Sequence, residues 1–152
     1  MTDSKPFPLP DLGHGPTAPL WAAAARNEFA LPRCETCGTF DWYPKGHCRK
    51  CNGEKIEWVP LSGRGTLFSW AVVKRALHKP LAPIAPYVSA IVVIDEDRLT
   101  RFVTRLIACD PQALHAGMPV EVRFADLGYP ALETGIVAPL FAPTTTNGRD
   151  EG

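Results

Sequence analysis

Two pairs of cysteines, Cys34/Cys37 and Cys48/Cys51, lie within RCETCGTFDWYPKGHCRKCNG, Arg33 to Gly53, and constrain the fold more than any other feature of the chain. Two residues between thiols let one tight turn aim both sulfurs at a single ion, so each Cys-x-x-Cys is half of a tetrahedral metal site. Gly38 and Gly53 stand where such turns favour positive φ. The 10 residues between the pairs are enough for a short hairpin through TFDWYPKG to bring them together. Zinc is the ion expected, with iron in the same four-thiolate geometry as the alternative and a disulfide pair as a weaker one. His47 precedes Cys48 and could replace a ligand, but with four thiolates at hand it is expected to face solvent. A four-cysteine zinc has no open position for water, so it cannot polarise a substrate and contributes folding free energy. The cage is therefore expected to be a staple.

The rest of the composition is that of an ordinary globular chain. Of 152 residues 45% are hydrophobic and 21% charged, enough to bury a core in one domain or in two small units. Sixteen basic residues balance sixteen acidic ones, so no global field draws the chain to nucleic acid or an anionic membrane. No apolar run approaches the ~20 residues of a membrane span, and MTDSKPFPLPDLGHGP lacks the basic-then-apolar layout of a signal peptide. A cytoplasmic protein is expected.

Along the chain, residues 1–16 are expected to form an extended or disordered Pro-rich arm, because Pro6, Pro8, Pro10 and Pro16 with Gly13 and Gly15 break regular hydrogen bonding. Residues 17–30 read as a helix capped by Thr17, with Leu20, Trp21, Ala24, Ala25, Glu28 and Phe29 at helical spacing. Residues 31–60 hold the metal segment. Residues 61–143 then switch to strands: Arg64 to Arg75, Pro86 to Asp95, Leu99 to Ile107, PVEVRFADL with Val120, Val122 and Phe124 on one face, and Leu132 to Phe141, weakened as a central strand by Pro139. Between the third and fourth, Asp110, Pro111 and Gly117 suit the cap, first position and stop of a short helix. Five strands with a helical element before the fourth fit a mainly β chain ending in an OB-type Greek-key barrel. The polar tail, 144–152, has nothing to bury.

Catalytic constellations are missing: the sequence has no G-x-S-x-G elbow, no H-E-x-x-H and no P-loop. Cys109 could be a nucleophile with His115 or His78 as base, but a lone cysteine at a strand end is more often a small buried hydrophobe. Asp95, Glu96 and Asp97 form a hairpin tip whose charge is expected to serve solvation. The connection between the first two strands carries Lys74, Arg75, His78 and Lys79, which with Trp70 are the candidate ligand-binding residues, suited to the phosphates of a nucleotide-like ligand or to a solvated rim. Phe68 and Trp70 on one strand face, with Arg101 and Arg105 on another strand, suggest an alternative function as a single-stranded nucleic-acid-binding module, against which the zero net charge counts.

The order of the segments PLWAAAARNEFALPRCETCG, PKGHCRKCNG, EWVPLSGRGTLFSW, APYVSAIVVID and GMPVEVRF resembles the DUF35 family over about Pro19 to Pro143. The resemblance implies an N-terminal helix, a rubredoxin-like zinc ribbon with Cys34, Cys37, Cys48 and Cys51 as ligands, and an OB barrel. It further implies a non-catalytic accessory subunit of a thiolase-like protein, a lipid-transfer-type aldolase or a MaoC-like hydratase, in lipid metabolism such as steroid side-chain degradation. Such a subunit is expected to help hold or pass a CoA thioester, and not to be an enzyme alone.

Overall fold

The computed structural model describes residues 9–129 and 135–144; the first half of the Pro-rich arm, the first part of the expected last strand and nearly all of the polar tail lie outside these residues. The helix α1, Ala18–Ala25, is shorter than the sequence pattern suggests. Asn27 adopts φ 58, and the N–H groups of Asn27 and Glu28 donate to the carbonyls of Ala24 and Ala23, a left-handed closure that ends the helix. Phe29 therefore leaves the helical stripe and starts strand β1, Phe29–Cys34, which pairs antiparallel with β2, Ile56–Leu61. Thr17 precedes the helix but makes no side-chain cap; Pro19 pre-sets the first turn instead.

Five further strands close a barrel: β3 (Arg64–Val73), β4 (Tyr87–Ile94), β5 (Arg101–Leu106), β6 (Pro119–Asp126) and β7 (Val137–Pro143), in the order β3-β4-β5-β7-β6. The short helix expected between the third and fourth of them is one 3-10 turn, Pro111–Ala113, with the Asp110 carboxylate accepting from the Gln112 N–H. Pro139 is accommodated inside the sheet because of its orientation. The carbonyls of Phe141 and Pro139 both face β5, accepting from the Ile107 N–H and the Thr104 hydroxyl, so the missing N–H of Pro139 also points to that side. There the ladder is sparse, Leu106 opposite Phe141 being its paired position, whereas β7 pairs with β6 along its whole length.

A bulge between Leu67 and Ser69 resets the parity of β3. Leu67, Trp70 and Val72 face the buried Val92, Ala90 and Val88, while Phe68 is pushed outward and is 51% exposed. The two aromatics expected on one face are thus on opposite faces.

One buried cluster takes residues from both the cysteine segment and the barrel. The ring of Phe29 meets Phe102 edge-on at 5.1 Å and Phe141 at 5.6 Å, and Trp42 sits 5.1 Å from Phe102. Aromatic contacts of this kind add about 0.5–1.5 kcal/mol each beyond the area they bury.

Candidate functional site

The four cysteines converge. Cys34, Cys37, Cys48 and Cys51 bring their Sγ atoms within 4.8 Å of one another, with 3.5 Å between Cys34 and Cys51 and between Cys37 and Cys48. Four sulfurs about 2.3 Å from a zinc at the centre of a tetrahedron stand roughly 3.8 Å apart, so the arrangement fits one ion.

Two turns of the same design build it. In the first, the Gly38 N–H donates to the Cys34 carbonyl and the Cys34 N–H to the Thr39 carbonyl; in the second, the Asn52 N–H donates to Cys48 and the Cys48 N–H to Gly53. The left-handed position is Gly38 (φ 76) in the first turn and Asn52 (φ 60) in the second. Gly53, expected to need positive φ, is instead required to be small: a Cβ there would stand 3.2 Å from Cys51 Sγ and 3.4 Å from Cys34 Sγ.

The thiols differ in acidity as four groups in one small volume must. The Thr39 hydroxyl, 3.1 Å from the sulfur, and then the Thr39 N–H hold Cys37 down to about 6. For Cys51 the Gly53 N–H favours the thiolate, but the Cys34 thiol, burial and the other two cysteines outweigh it and push it up to about 12. A cation among the sulfurs would favour the thiolate form of all four. His47 is exposed.

A clamp not foreseen from the sequence holds the ribbon loop. The Asp41 carboxylate, nearly buried, accepts from the Arg49 backbone N–H at 3.0 Å and pairs with Arg49 Nε at 2.7 Å. The hairpin-tip carboxylates also do more than solvate: Glu96 accepts from the N–H (2.8 Å) and hydroxyl (3.2 Å) of Ser62, and Asp97 accepts from the Leu99 N–H and Thr100 hydroxyl.

The remaining candidates are scattered. Lys74, Arg75, His78 and Lys79 are exposed on the β3–β4 connection, which continues as a 3-10 segment, Lys79–Ile84, while Trp70 packs against the core and does not join them. Of the expected stacking platform, the Arg101 guanidinium lies 4.4 Å over Phe68, but Arg105 donates to the Leu127 carbonyl at 3.0 Å. Cys109 is half-buried against the core, and burial followed by the Asp110 charge raises its thiol, the opposite of an activated nucleophile. Sequence reasoning missed a cavity of about 330 Å³ bounded by α1, the Trp42–Tyr43 loop, the β3–β4 connection, β5 and β7. Its wall comes from segments far apart in the chain, and no local pattern marks it.

Among the described residues no helix is long and apolar enough to cross a membrane. Residues 21–57 match the rubredoxin-like zinc ribbon domain of ChsH2, and residues 58–125 match its C-terminal OB-fold domain. A DUF35 domain-containing scaffold protein of Methanocaldococcus jannaschii is 34% identical over 93 residues, 60% of this chain and 64% of that protein. A probable enoyl-CoA hydratase alpha subunit of Thermomonospora curvata is 28% identical over 80% of this chain but 35% of its own length. The chain thus spans less than two thirds of either relative. The benzoylsuccinyl-CoA thiolase subunit BbsA of Thauera aromatica is 46% identical over 39 residues, 26% of this chain and 27% of that subunit. Among solved structures, a chain of the Ltp2-ChsH2(DUF35) aldolase superposes with a TM-score of 0.73 at 26% identity, over 88% of this chain and 98% of that one.

Proposed function

The chain belongs to the DUF35 family of zinc-ribbon and OB-fold proteins, and from that premise we propose that it is a non-catalytic accessory subunit that docks on a thiolase-like, aldolase or hydratase enzyme and helps hold or pass an acyl-CoA intermediate. The observation that carries this reading is the likeness, over 88% of the chain, to a component of an aldolase described by its two parts, Ltp2 and ChsH2. The kinship with an enoyl-CoA hydratase alpha subunit and a thiolase subunit supports the same class of partner.

The ion held by Cys34, Cys37, Cys48 and Cys51 is zinc in this proposal, and it supplies folding free energy to the ribbon. Four thiolates leave no site for substrate. The exposed Lys74, Arg75, His78 and Lys79 form the rim that faces the phosphates of the CoA. The outward Phe68, already covered by Arg101, and the inward Trp70 give no continuous stacking surface, so the nucleic-acid reading is not favoured. We place the protein in the cytoplasm.

The test is turnover. The purified, metal-loaded chain is expected to leave acyl-CoA thioesters unchanged by itself and to raise the activity or soluble yield of its partner enzyme on co-expression. Turnover by the chain alone would sink the proposal.

A further inference from the structure

The outer surface of the barrel differs from strand to strand. On β6, Glu121 and Arg123 point outward and pair with each other at 2.8 Å, as on an ordinary face turned to water. The outer face of β3, β4 and β5 is built differently. The register sets Thr66, Val93 and Arg101 in one outward row and Ser69, Ile91 and Val103 in the next, and the bulge turns Phe68 out beside them. Phe68 and Val103 are exposed, and Ile91 and Val93 are half-buried. These strands hold no lysine, aspartate or glutamate, and their charged residues are Arg64, Arg101 and Arg105. Arginine and aromatic residues without lysine or carboxylate are the composition found at the core of a protein–protein interface.

The charge is also one-sided. From Ser62 to Ile94 the chain carries Arg64, Lys74, Arg75 and Lys79 and no carboxylate, although acidic and basic residues balance over the whole chain. The ion pairs among the described residues, Arg26–Glu28, Arg33–Glu57, Arg49–Asp41 and Arg123–Glu121, all lie off β3, β4 and β5. At the hairpin tip Glu96 is engaged with Ser62 and Asp97 with Leu99 and Thr100, while Asp95 stands beside Arg98. The positive face is therefore left without a counter-charge among the described residues.

We propose that the outer face of β3, β4 and β5 is where the chain docks on its partner enzyme, which meets it with an apolar surface bordered by carboxylates. This rests on the accessory reading and gives that reading a surface. Phe68 and Val103 are the apolar anchors. Arg101 is held in place by its stack on Phe68 and by donating to the Arg98 carbonyl, so it meets a carboxylate with little further loss of freedom. Single-stranded nucleic acid fits this face less well: Arg101 already covers the Phe68 ring, and Ile91, Val93 and Val103 offer bases nothing to stack on. The cations of the β3–β4 connection follow Val73, at the other end of the strands from Arg101, so a role toward CoA phosphates does not compete.

The test uses the full, metal-loaded chain and the acyl-CoA enzyme recovered with it from its native cells, titrated against each other at low and at moderate salt. Affinity is expected to fall as salt rises. Arg101→Glu is expected to weaken it by about tenfold or more through like-charge contact. Arg123→Glu changes the net charge equally but on β6, and should stay within about twofold of the wild type. Melting curves check that each variant folds, and Arg101→Gln, with a several-fold loss expected, serves should Arg101→Glu fail to fold. Equal binding by the Arg101 and Arg123 variants, or an affinity indifferent to salt, would overturn the placement and leave the accessory role standing. A wild-type chain that retains no acyl-CoA enzyme, or that binds a labelled oligothymidylate through Arg101 instead, would remove both.

Discussion

At the scale of single residues the cage depends on two constraints of different kind. Asn52 holds φ 60, a conformation that costs an alanine about 1 kcal/mol. Asn52→Ala is expected to lower the unfolding free energy of the metal-loaded protein by about that much, and Asn52→Gly to be near neutral, as read by denaturant titration. Gly53 is a matter of space, its missing Cβ lying against two of the four sulfurs. Gly53→Ala should weaken metal retention against a competing chelator with little change in the barrel. Asp41→Ala removes two charge-assisted contacts to Arg49, which is itself more than half exposed, and is expected to cost about 1–2 kcal/mol in the same titration. The cysteines were legible from spacing alone because a tight turn places two thiols by its own geometry. Asn52 was not, since a glycine one residue on offered the simpler reading of the turn.

At the scale of elements, the barrel strands were legible where one face is buried and alternation results, as in β6. The ribbon strands were hidden. Phe29 continues the helical spacing of α1, and β1 and β2 carry Pro32 and Pro60, residues that argue against a strand in sequence; the Pro32 carbonyl accepts from the Asp41 N–H, so the N–H that Pro32 lacks belongs to the side of β1 away from β2. The bulge in β3 was hidden too, since one inserted residue reverses every face after it without altering composition. Ribbon and barrel share the cluster of Phe29, Trp42, Phe102 and Phe141, so they are expected to melt together. Phe102→Ala, at a site 2% exposed, should destabilise the chain by about 3–5 kcal/mol. Removing the metal with a strong chelator should lower the melting temperature reported by Trp70 in the barrel as well as by Trp58 in the ribbon. A Trp70 transition indifferent to the metal would mean that the staple serves the ribbon only.

At the scale of the whole molecule, the described residues form a closed barrel joined through a shared buried cluster to a ribbon whose four cysteines converge. Fold class and the convergence of the four cysteines could be read from the sequence because local geometry dictates them. The cavity could not, because helix, ribbon loop and barrel seam meet only after folding. The accessory role is the central claim, and the most direct measurement of it is an affinity purification of the tagged chain from its native cells, with co-purifying proteins identified by mass spectrometry and their ratio measured. A thiolase-like, aldolase or hydratase enzyme retained in stoichiometric amount is the predicted result. Recovery of the chain with nucleic acid and no such enzyme would contradict it.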